Sequence, residues 1–414
     1  MKLSFVEKIS TFLPKSTIVP IQDAAKNWHT NRIRNYMNNI ENRPFAFFDY
    51  TDIFCFSHLR WGFVYQRPQH LLSRFADVSR VFYMEEPIFY DGENHLELNK
   101  QGDKDLYVLV PYLQNGLSAQ EVNNELAAMA SSVIETHNID CYWSWYYTPM
   151  ALNFTKHLKP SLVVYDCMDE LSAFKFAPPE LKEKERALLA RADVVFTGGN
   201  SIYEAKKNQH PFIHPFPSSI DKQHFAQARS INGDPHDQEH IPHPRFGFFG
   251  VVDERFDVSL IEQVAQQRPG WHFVIIGPVV KIDPQALPRV HNIHYLGGKQ
   301  YNELPHYLAG WDIATIPFAI NESTEFISPT KTPEYLAGGK PVISTPIRDV
   351  VDPYGRNNLV SIAGNAETFI AAAEKELQAT ERKEWLNRAD DFLKDNSWDN
   401  TWLEMVILLK SKLY

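Results

Sequence analysis

The chain has 414 residues, with 41 Lys or Arg against 51 Asp or Glu, and so carries a formal net charge of −10. This length suffices for two or three domains with real cores, and the acidic balance argues against a broad nucleic-acid-binding surface. Three cysteines without CxxC spacing (Cys55, Cys141 and Cys167) favour neither a disulfide framework nor a zinc site, so we expect a reducing, cytoplasmic setting.

The N-terminal stretch, residues 1–45, is polar and mixed, and we interpret it as a lead-in extension. Lys2, Glu7 and Pro14 interrupt its apolar residues, so it lacks the pattern of a secretory signal. Nowhere does the sequence contain about 18 consecutive apolar residues, and we expect no membrane-spanning helix. Peripheral contact with the inner face of a membrane stays compatible with this composition.

From Asp52 onward, short apolar runs alternate with longer amphipathic segments, which is typical of βαβ units around a parallel sheet. The predicted strands are Ile53–Phe56, Val81–Met84, Leu106–Val110, Cys141–Trp145, Leu162–Tyr165 and Val194–Thr197. The predicted helices between them are Pro68–Ala76, Ser118–Thr136 and Pro179–Arg191. Between two of these strands, the polar run 99–105 spells Asp103-Lys-Asp105, which we interpret as a solvated loop rather than a metal–nucleotide motif.

Residues 226–244 are polar, rich in proline and without periodicity, as expected of a linker. The alternation then resumes, and the predicted strands are Phe246–Phe249, His272–Ile276, His294–Leu296, Ile313–Pro317 and Val342–Ser344. The predicted helices are Ser259–Gln267, Tyr301–Ala309, Pro329–Ala337 and Ala366–Ala379, followed by a helical stretch, Glu381–Tyr414, that breaks near 396–400. The sequence therefore predicts two doubly wound α/β domains, 1–225 and 245–395, and a helix 396–414 that returns to the first.

One segment, SPTKTPEYLAGGKPVIST at 328–345, carries a chemical pattern. Ser328 suits a helix N-cap and Pro329 the first helical position. A cation at Lys331, in the first turn, opposes the helix dipole unless an anion is bound there. Glu334 lies on the same helix face, so the pair suits a nucleotide, with pyrophosphate on Lys331 and ribose on Glu334. The same residues also fit an ordinary exposed Lys–Glu pair on a capped helix.

The segment resembles the donor-nucleotide helix of GT-B glycosyltransferases, especially the large family of bacterial polysaccharide enzymes. Four further stretches resemble elements of these enzymes in the right order: SHLRWGFVYQRPQH at 57–70, YDCMDE at 165–170, PSSID at 217–221 followed by Phe225, and FFGVVDER at 248–255. A fifth, NIHYLGG at 292–298, resembles the strand and loop that hold the donor base. The resemblance covers about residues 52–400.

The resemblance implies a GT-B fold, in which two Rossmann-like domains face a central cleft and C-terminal helices cross back to the first domain. It also implies which residues bind the donor nucleotide, with Arg255 and Lys331 on the phosphates and Glu334 on the ribose. The full set implied is Gly250, Arg255, Tyr295, Leu296, Ser328, Thr330, Lys331 and Glu334.

One position departs from the family pattern. A first glutamate, which touches the donor sugar in relatives, is expected eight residues before Glu334, where this chain has Phe326. The ribose role of Glu334 is therefore implied, whereas the sugar-contact role is not. The choice between retention and inversion at the anomeric carbon stays open.

In a GT-B enzyme the acceptor lies between the domains, facing the carboxyl ends of the strands. Candidates for the general base that an inverting transfer needs are His58, Asp166 and Asp169, each just after a predicted strand. Asp166 also suits a turn, and His58 a structural histidine. Arg60 and Arg67 are candidates for an acceptor phosphate, such as a lipid-linked diphosphate, or for ordinary ion pairs.

Further acceptor-side candidates are Trp61 and the glycine pair Gly198–Gly199, which would allow a close backbone approach. The aromatic run at 142–147 ends a strand, so most of it should be core. We expect one or two of its rings, Trp145 and Tyr146, to face the acceptor.

The sequence thus predicts a metal-independent glycosyltransferase without a cofactor, using a nucleotide-diphosphate sugar, UDP-linked, and a hydroxyl of a cell-surface polysaccharide or glycolipid precursor. No zinc pattern is convincing, because prolines interrupt the histidines of the linker. Two other hypotheses fit the same residues. One is a nucleotide-sugar epimerase of the same architecture, and the other is a non-catalytic homologue that binds a glycan or a partner, as Phe326 would allow.

Overall fold

The computed structural model describes residues 51–380 and 382–413, so the predicted lead-in 1–45 lies outside the described residues. Two predominantly parallel sheets organise this part of the chain. Both have helices on their faces, and their central strands are correspondingly buried on both sides. The predicted α/β class is confirmed.

The first sheet has nine strands in the order β3-β5-β2-β1-β6-β7-β8-β9, with β4 antiparallel to the edge of β5. Their bounds are β1 Asp52–Phe56, β2 Val81–Met84, β3 Ile88–Tyr90, β4 His95–Lys100, β5 Leu106–Gln114, β6 Tyr142–Tyr146, β7 Leu162–Cys167, β8 Val194–Thr197 and β9 Ile213–Pro215. The helices of this domain are α1 Arg67–Phe75, α2 Ala119–Thr136, α3 Leu152–Thr155, α4 Leu181–Arg191 and α5 Asn200–Lys206. Chain order reverses between β1 and β6, and ligands of doubly wound sheets bind at such a point.

The second sheet has six parallel strands in the order β12-β11-β10-β13-β14-β15. Their bounds are β10 Arg245–Phe249, β11 His272–Ile276, β12 Ile293–Gly297, β13 Ile313–Ile316, β14 Val342–Ser344 and β15 Val360–Ile362. The helices that follow the first domain are α6 Lys222–Ala226, α7 Val258–Gln267, α8 Leu304–Ala309, α9 Lys331–Ala337, α10 Arg348–Val350, α11 Ala366–Gln378, α12 Arg382–Phe392 and α13 Trp398–Leu413. The order reverses again between β10 and β13, which makes this sheet a Rossmann arrangement.

The pleat of β1 divides the first core into two layers. Ile53 and Cys55 face one layer, and Phe54 and Phe56 face the other. The first layer is completed by α13, whose Trp398 and Trp402 are buried among first-domain residues. The last helix of the chain therefore packs on the first domain.

The segment 226–244 is packed rather than free. The Gln238 side chain is buried, accepts a hydrogen bond from the Trp311 indole at 2.9 Å and donates one to the Tyr307 carbonyl oxygen at 3.1 Å. Ile220 and Phe225 already belong to the core of the second domain. The chain thus passes from one core to the other before residue 225, where the sequence placed the boundary.

The structure adds elements that the sequence did not reveal. No bounds were predicted for the strands β3, β4, β9 and β15 or for the short helices α3, α5, α6 and α10. The polar run 99–105 is only partly a loop, because Asn99 and Lys100 pair with β5 as part of β4. An edge strand needs no alternation of apolar and polar residues, so the hydrophobic pattern of the sequence does not reveal these strands. Within the described ranges, no helix is long and apolar enough to span a bilayer.

Candidate functional site

Lys331 is the first residue of α9 and lies against the end of β10. Gly250 follows β10 with a φ of +142°, and a Cβ there would stand 2.3 Å from the Lys331 Cε atom. Glycine is therefore required at residue 250, both for its backbone conformation and for the passage of the lysine chain. The ammonium nitrogen lies 5.4 Å from the Phe248 ring centre and 5.5 Å from that of Phe318.

The ammonium group of Lys331 forms no ion pair in the described part of the chain. Among the residues that the structure describes, none forms an ion pair with its Nζ within 4.0 Å. Burial and the neighbouring Arg255 lower the pKa of Lys331 to about 8, and the charges of Glu334, Asp253 and Asp169 oppose that shift. A half-buried ammonium group without an ion-pair partner can gain from a bound anion.

Arg255 is the second cation of this cluster. Its Nη2 lies 2.7 Å from Asp253 Oδ2, and its Nε also donates to the same carboxylate. The guanidinium stands 5.4 Å from the ring centre of Phe174, which belongs to the first domain. The sequence identified Arg255 but not Asp253, although both occupy the loop after β10.

Glu334 lies one turn after Lys331, is buried, and accepts no hydrogen bond from any described residue. Burial raises the pKa of its carboxyl group, whereas Lys331 acts in the opposite direction. Its negative charge in turn contributes to raising the pKa of Tyr301, after the larger effect of burial. The Tyr301 hydroxyl is buried without a hydrogen-bond partner among the described residues. No sequence motif indicates Tyr301, because its ring neighbours Tyr65, His70 and His224 come from distant parts of the chain.

The helix that carries these residues begins later than predicted. Thr330, and not Ser328, precedes its first residue, and the Thr330 side chain makes no capping hydrogen bond. Ser328 instead contacts the first domain, where its carbonyl oxygen accepts a hydrogen bond from the Ser218 hydroxyl at 3.2 Å. The prediction of Ser328 as N-cap was therefore wrong.

Tyr295 and Leu296 lie on β12, at the edge of the second sheet. Burial raises the pKa of Tyr295 to about 12, and the charged groups that act on it are Arg289 and Glu262. Leu296 packs against the core of the second domain. None of the contacts described for these two residues involves Lys331 or Glu334, so their role in binding the donor base stays a prediction.

Asp166 and Arg67 bind each other. The Arg67 Nε lies 3.0 Å from both carboxylate oxygens of Asp166, and its Nη1 donates to the Phe216 carbonyl oxygen at 2.7 Å. Both side chains are almost completely buried. Asp166 was a candidate base and Arg67 a candidate phosphate ligand. Because the two side chains neutralise each other in a buried ion pair, neither is free for its predicted role. The structure thus favours the ordinary ion pair.

Asp169 is the carboxylate that the first domain brings to the cations of the second. Burial raises its pKa, and the charges of Arg255 and Arg67 oppose that rise, with a smaller effect from Lys331. No described donor is hydrogen-bonded to its side chain. The next residue, Glu170, is fixed by the buried Lys206 at 2.6 Å. This anchor holds the loop after β7 in place.

His58 lies half-buried after β1. Its Nδ1 is buried and has no hydrogen-bond partner among residues 51–380 and 382–413. Burial lowers the pKa of His58 to about 4, and the charge of Lys281 in the second domain adds to the effect. The ring is therefore neutral near pH 7, and the low pKa makes it a weak base.

Arg60 and Trp61 are held by one carboxylate. Arg60 Nη1 lies 2.9 Å from Glu85 Oε2, and the Trp61 backbone N–H donates to Glu85 Oε1 at 2.7 Å. Arg60 also donates to the carbonyl oxygens of Glu86 and Pro87. The structure thus gives Arg60 the ion pair that was the alternative to phosphate binding.

Four other acceptor-side candidates are placed in packing positions. Trp145 and Tyr146 are fully buried on opposite faces of β6, so the prediction that they face the acceptor was wrong. A Cβ on Gly198 would collide with the Met168 carbonyl oxygen at 2.3 Å. A Cβ on Gly199 would stand 2.5 Å from Asp349 of the second domain. These glycines allow close packing of protein on protein.

Phe326 occupies the position for which the sequence resemblance implies a glutamate. Its ring is half-buried and packs against apolar residues of the first domain. The aromatic side chain therefore serves contact between the domains.

Comparison with known proteins identifies similar chains. Residues 243–379 match the family model described as Glycosyl transferases group 1. The Bacillus subtilis protein TuaH, whose name assigns it to teichuronic acid biosynthesis as a glycosyltransferase, is 26% identical over 204 residues. That alignment covers 44% of this chain and 50% of TuaH, so the chain spans about half the length of the curated relative that it matches.

Solved structures resemble the whole described fold. The sucrose-phosphate synthase of Thermosynechococcus elongatus has a TM-score of 0.66 at 13% identity, over 87% of this chain and 98% of that one. Anabaena HepE, in complex with UDP and glucose, has a TM-score of 0.61 at 15% identity, over 87% and 99%. An E. coli trehalose-6-phosphate protein bound with UDP-2-fluoro glucose has a TM-score of 0.62 at 11% identity, over 87% and 99%. These likenesses establish the GT-B fold, and the resemblance seen in the sequence is confirmed.

Proposed function

We propose that this chain, which carries a group 1 glycosyl transferase domain at 243–379 within a GT-B fold, transfers a sugar from a nucleotide-diphosphate donor to an acceptor hydroxyl. A UDP-linked donor is supported by the complexes of two structural relatives with UDP and with a UDP-sugar. The relation to TuaH supports a polysaccharide or glycolipid precursor of the cell surface as the acceptor.

The proposal rests on the electrostatic environment of Lys331. Lys331 is half-buried beside Arg255, and no described carboxylate lies within 4.0 Å of its ammonium nitrogen. A pyrophosphate beside Lys331 would accept charge-assisted hydrogen bonds from its ammonium group and from Arg255 Nη1, the guanidinium nitrogen for which no hydrogen bond to Asp253 is described. Glu334, whose carboxylate is buried without a donor, would accept the ribose hydroxyls one turn further along α9.

The reaction follows from this placement. The bond between the anomeric carbon and the β-phosphate oxygen breaks, UDP leaves, and the acceptor oxygen bonds to that carbon. Lys331 and Arg255 would stabilise the charge that develops on the leaving phosphate. A base takes the acceptor proton in an inverting reaction, and Asp169 and His58 are the two candidates whose acceptor atoms have no described partner.

The setting of the reaction is part of the proposal. We expect a cytoplasmic enzyme, with peripheral contact at the inner face of a membrane where the acceptor is lipid-linked. We also propose that the transfer needs neither a divalent metal nor a cofactor. Turnover that persists after treatment with a chelator would support metal independence, and turnover restored only by added magnesium or manganese would contradict it.

A titration with UDP tests the proposal. Calorimetry should show saturable binding to the wild-type protein, and Lys331→Ala should weaken it roughly tenfold to hundredfold, because a charge-assisted hydrogen bond is lost. The matched control is Lys375→Ala, which removes an exposed lysine of the same domain and should bind UDP like the wild type. Unchanged UDP affinity in Lys331→Ala would refute the assignment of the donor site.

Turnover separates the proposal from its alternatives. A screen of UDP-sugars by thermal shift should identify the donor, because a bound nucleotide raises apparent stability by mass action. Incubation of that donor without acceptor should leave it largely intact. Rapid epimerisation under those conditions would show an epimerase, and absence of any UDP binding would show a non-catalytic homologue.

A further inference from the structure

The first domain contains a cavity that none of the predicted site residues accounts for. It has a volume of about 260 Å³ and lies at the carboxyl ends of the neighbouring strands β2, β1 and β6. Ser57 follows β1, Glu85 follows β2, and Thr148 comes shortly after β6, and all three line it. In a doubly wound domain this edge of the sheet is where ligands bind.

Three pieces of the chain form the walls. Arg60 fixes the turn 85–87 through its ion pair with Glu85 and its hydrogen bonds to the next two carbonyl oxygens. The Thr148 hydroxyl accepts a hydrogen bond from the Met150 backbone N–H at 3.3 Å and so fixes the short helical turn opposite. One face of α2, which includes Asn123 and Leu126, forms the third wall. The cavity is thus preformed.

The lining is mainly apolar and contains no cation, and its uncharged polar residues are Ser57, Asn123, Thr148 and Asn153. Its largest groups are Phe56, Met84, Phe89, Leu126, Met150 and Phe154. Its two charged residues are both acidic. Glu85 is neutralised by Arg60, and Glu86 is exposed. A phosphate would meet negative charge and no donor cation here, whereas an uncharged apolar group would bury surface against the six large side chains.

The cavity lies beside the cleft between the domains. His58 directly follows Ser57 of the lining, and the charge of Lys281 in the second domain acts on both His58 and Glu86. Lys281 and Arg255 contact the same first-domain ring, Phe174, at 5.3 and 5.4 Å. His58 and Glu86 thus place one side of the cavity near the second domain.

We propose that this cavity binds an uncharged, apolar group of the sugar acceptor, such as an aliphatic chain, close to the hydroxyl that receives the sugar. The proposal rests on the proposed transferase function and names the chemistry of its acceptor. The volume lies just below that of typical ligand pockets, so it suits one part of an acceptor rather than a whole molecule.

Two glucosides that differ only in their aglycone test this proposal. Calorimetry below the micelle concentration should show octyl β-glucoside binding to the wild-type protein at least tenfold more tightly than methyl β-glucoside. Burial of about two methylene groups already corresponds to tenfold. Equal affinity for the two glucosides would overturn the proposal.

Substitutions on α2 provide a matched pair. Asn123→Trp fills the cavity from a half-buried position and should weaken octyl glucoside binding at least tenfold. Asn124→Trp makes the same change at the adjacent exposed position, outside the lining, and should stay within about twofold of the wild type. Phe89→Ala, at a side chain that is 50% exposed, removes part of the apolar wall with little risk to folding and should weaken binding several-fold. Folded Asn123→Trp and Phe89→Ala proteins that bind octyl glucoside normally would overturn the proposal.

UDP titrations of the same preparations separate the two proposals. Wild-type protein that binds UDP but not octyl glucoside would refute the apolar acceptor site and leave the transferase proposal intact. Protein that binds octyl glucoside in the cavity but not UDP would refute the transferase and leave the cavity as an apolar binding site.

Discussion

Lys331 and Glu334 show at the residue scale how burial changes a common helix pair. On an exposed helix such a pair would be worth a few tenths of a kcal/mol. Here both side chains lie near the end of β10, with Gly250 under the lysine chain and Arg255 next to it. Burial disfavours the charged form of each, so each gains from a polar ligand.

The affinity for UDP should depend on the protonation of Lys331. Its pKa is lowered to about 8 in the free protein, by burial and by Arg255. The protonated form binds the anion, so affinity should fall by about tenfold as the pH rises from 7 to 9. Lys331→Ala should abolish this alkaline decline. Calorimetry across that range checks it, and an equal decline in Lys331→Ala would assign the titration to another group.

The sequence identified individual site residues better than their partners. Lys331, Glu334 and Arg255 occupy recognisable motifs, and the structure brings Lys331 and Arg255 together. Asp166 and Arg67 also occupy motifs, but they are 99 positions apart, and only the fold shows that they form a pair. Motif matching cannot distinguish a free carboxylate from one already bound to a buried arginine.

The strands and helices were predictable where burial produces a continuous apolar run. The bounds of β2, β8, β11 and β14 were predicted to the residue, because both faces of these central strands are covered. The edge strands β4 and β15 are partly exposed and carry no such run. Helix α5 is short and begins at a contact with the other domain, which sequence periodicity does not record.

The helix α13 should contribute strongly to the stability of the first domain. Trp402 is buried and lies 5.7 Å, centre to centre, from the Phe75 ring of α1. Trp402→Ala should lower the free energy of unfolding by about 3–5 kcal/mol, because it leaves a large cavity. Urea unfolding followed by fluorescence measures the change. Leu403→Ala, a half-buried neighbour, should lose clearly less, and equal losses would contradict the assignment.

At the scale of the whole molecule, Asp349 joins the two domains. Its carboxylate accepts a hydrogen bond at 3.1 Å from the Ser201 backbone N–H, in the first turn of α5. A second-domain side chain thus caps a first-domain helix in a buried position. Phe326 and Ser328 add contacts from the second domain to the first. Together these contacts hold the cleft in the observed arrangement.

Loss of this cap should favour separation of the domains. Asp349→Ala should remove about 0.5–2 kcal/mol of interaction between them, so small-angle scattering should show a larger radius of gyration. Asp352→Ala, a matched control, removes an exposed carboxylate that pairs with Arg356 and should scatter like the wild type. Unchanged scattering by Asp349→Ala would show that other contacts determine the arrangement.

The position of α13 also has a consequence for synthesis of the protein on the ribosome. The layer of the first core that contains Ile53 and Cys55 includes Trp398, Trp402 and Leu409. These residues are translated only after the whole second domain. Domains generally fold as they leave the ribosome. This first domain, however, keeps part of its apolar surface uncovered until α13 has been synthesised. The second domain should therefore complete its core first, and the first-made half of the chain should be the last to mature.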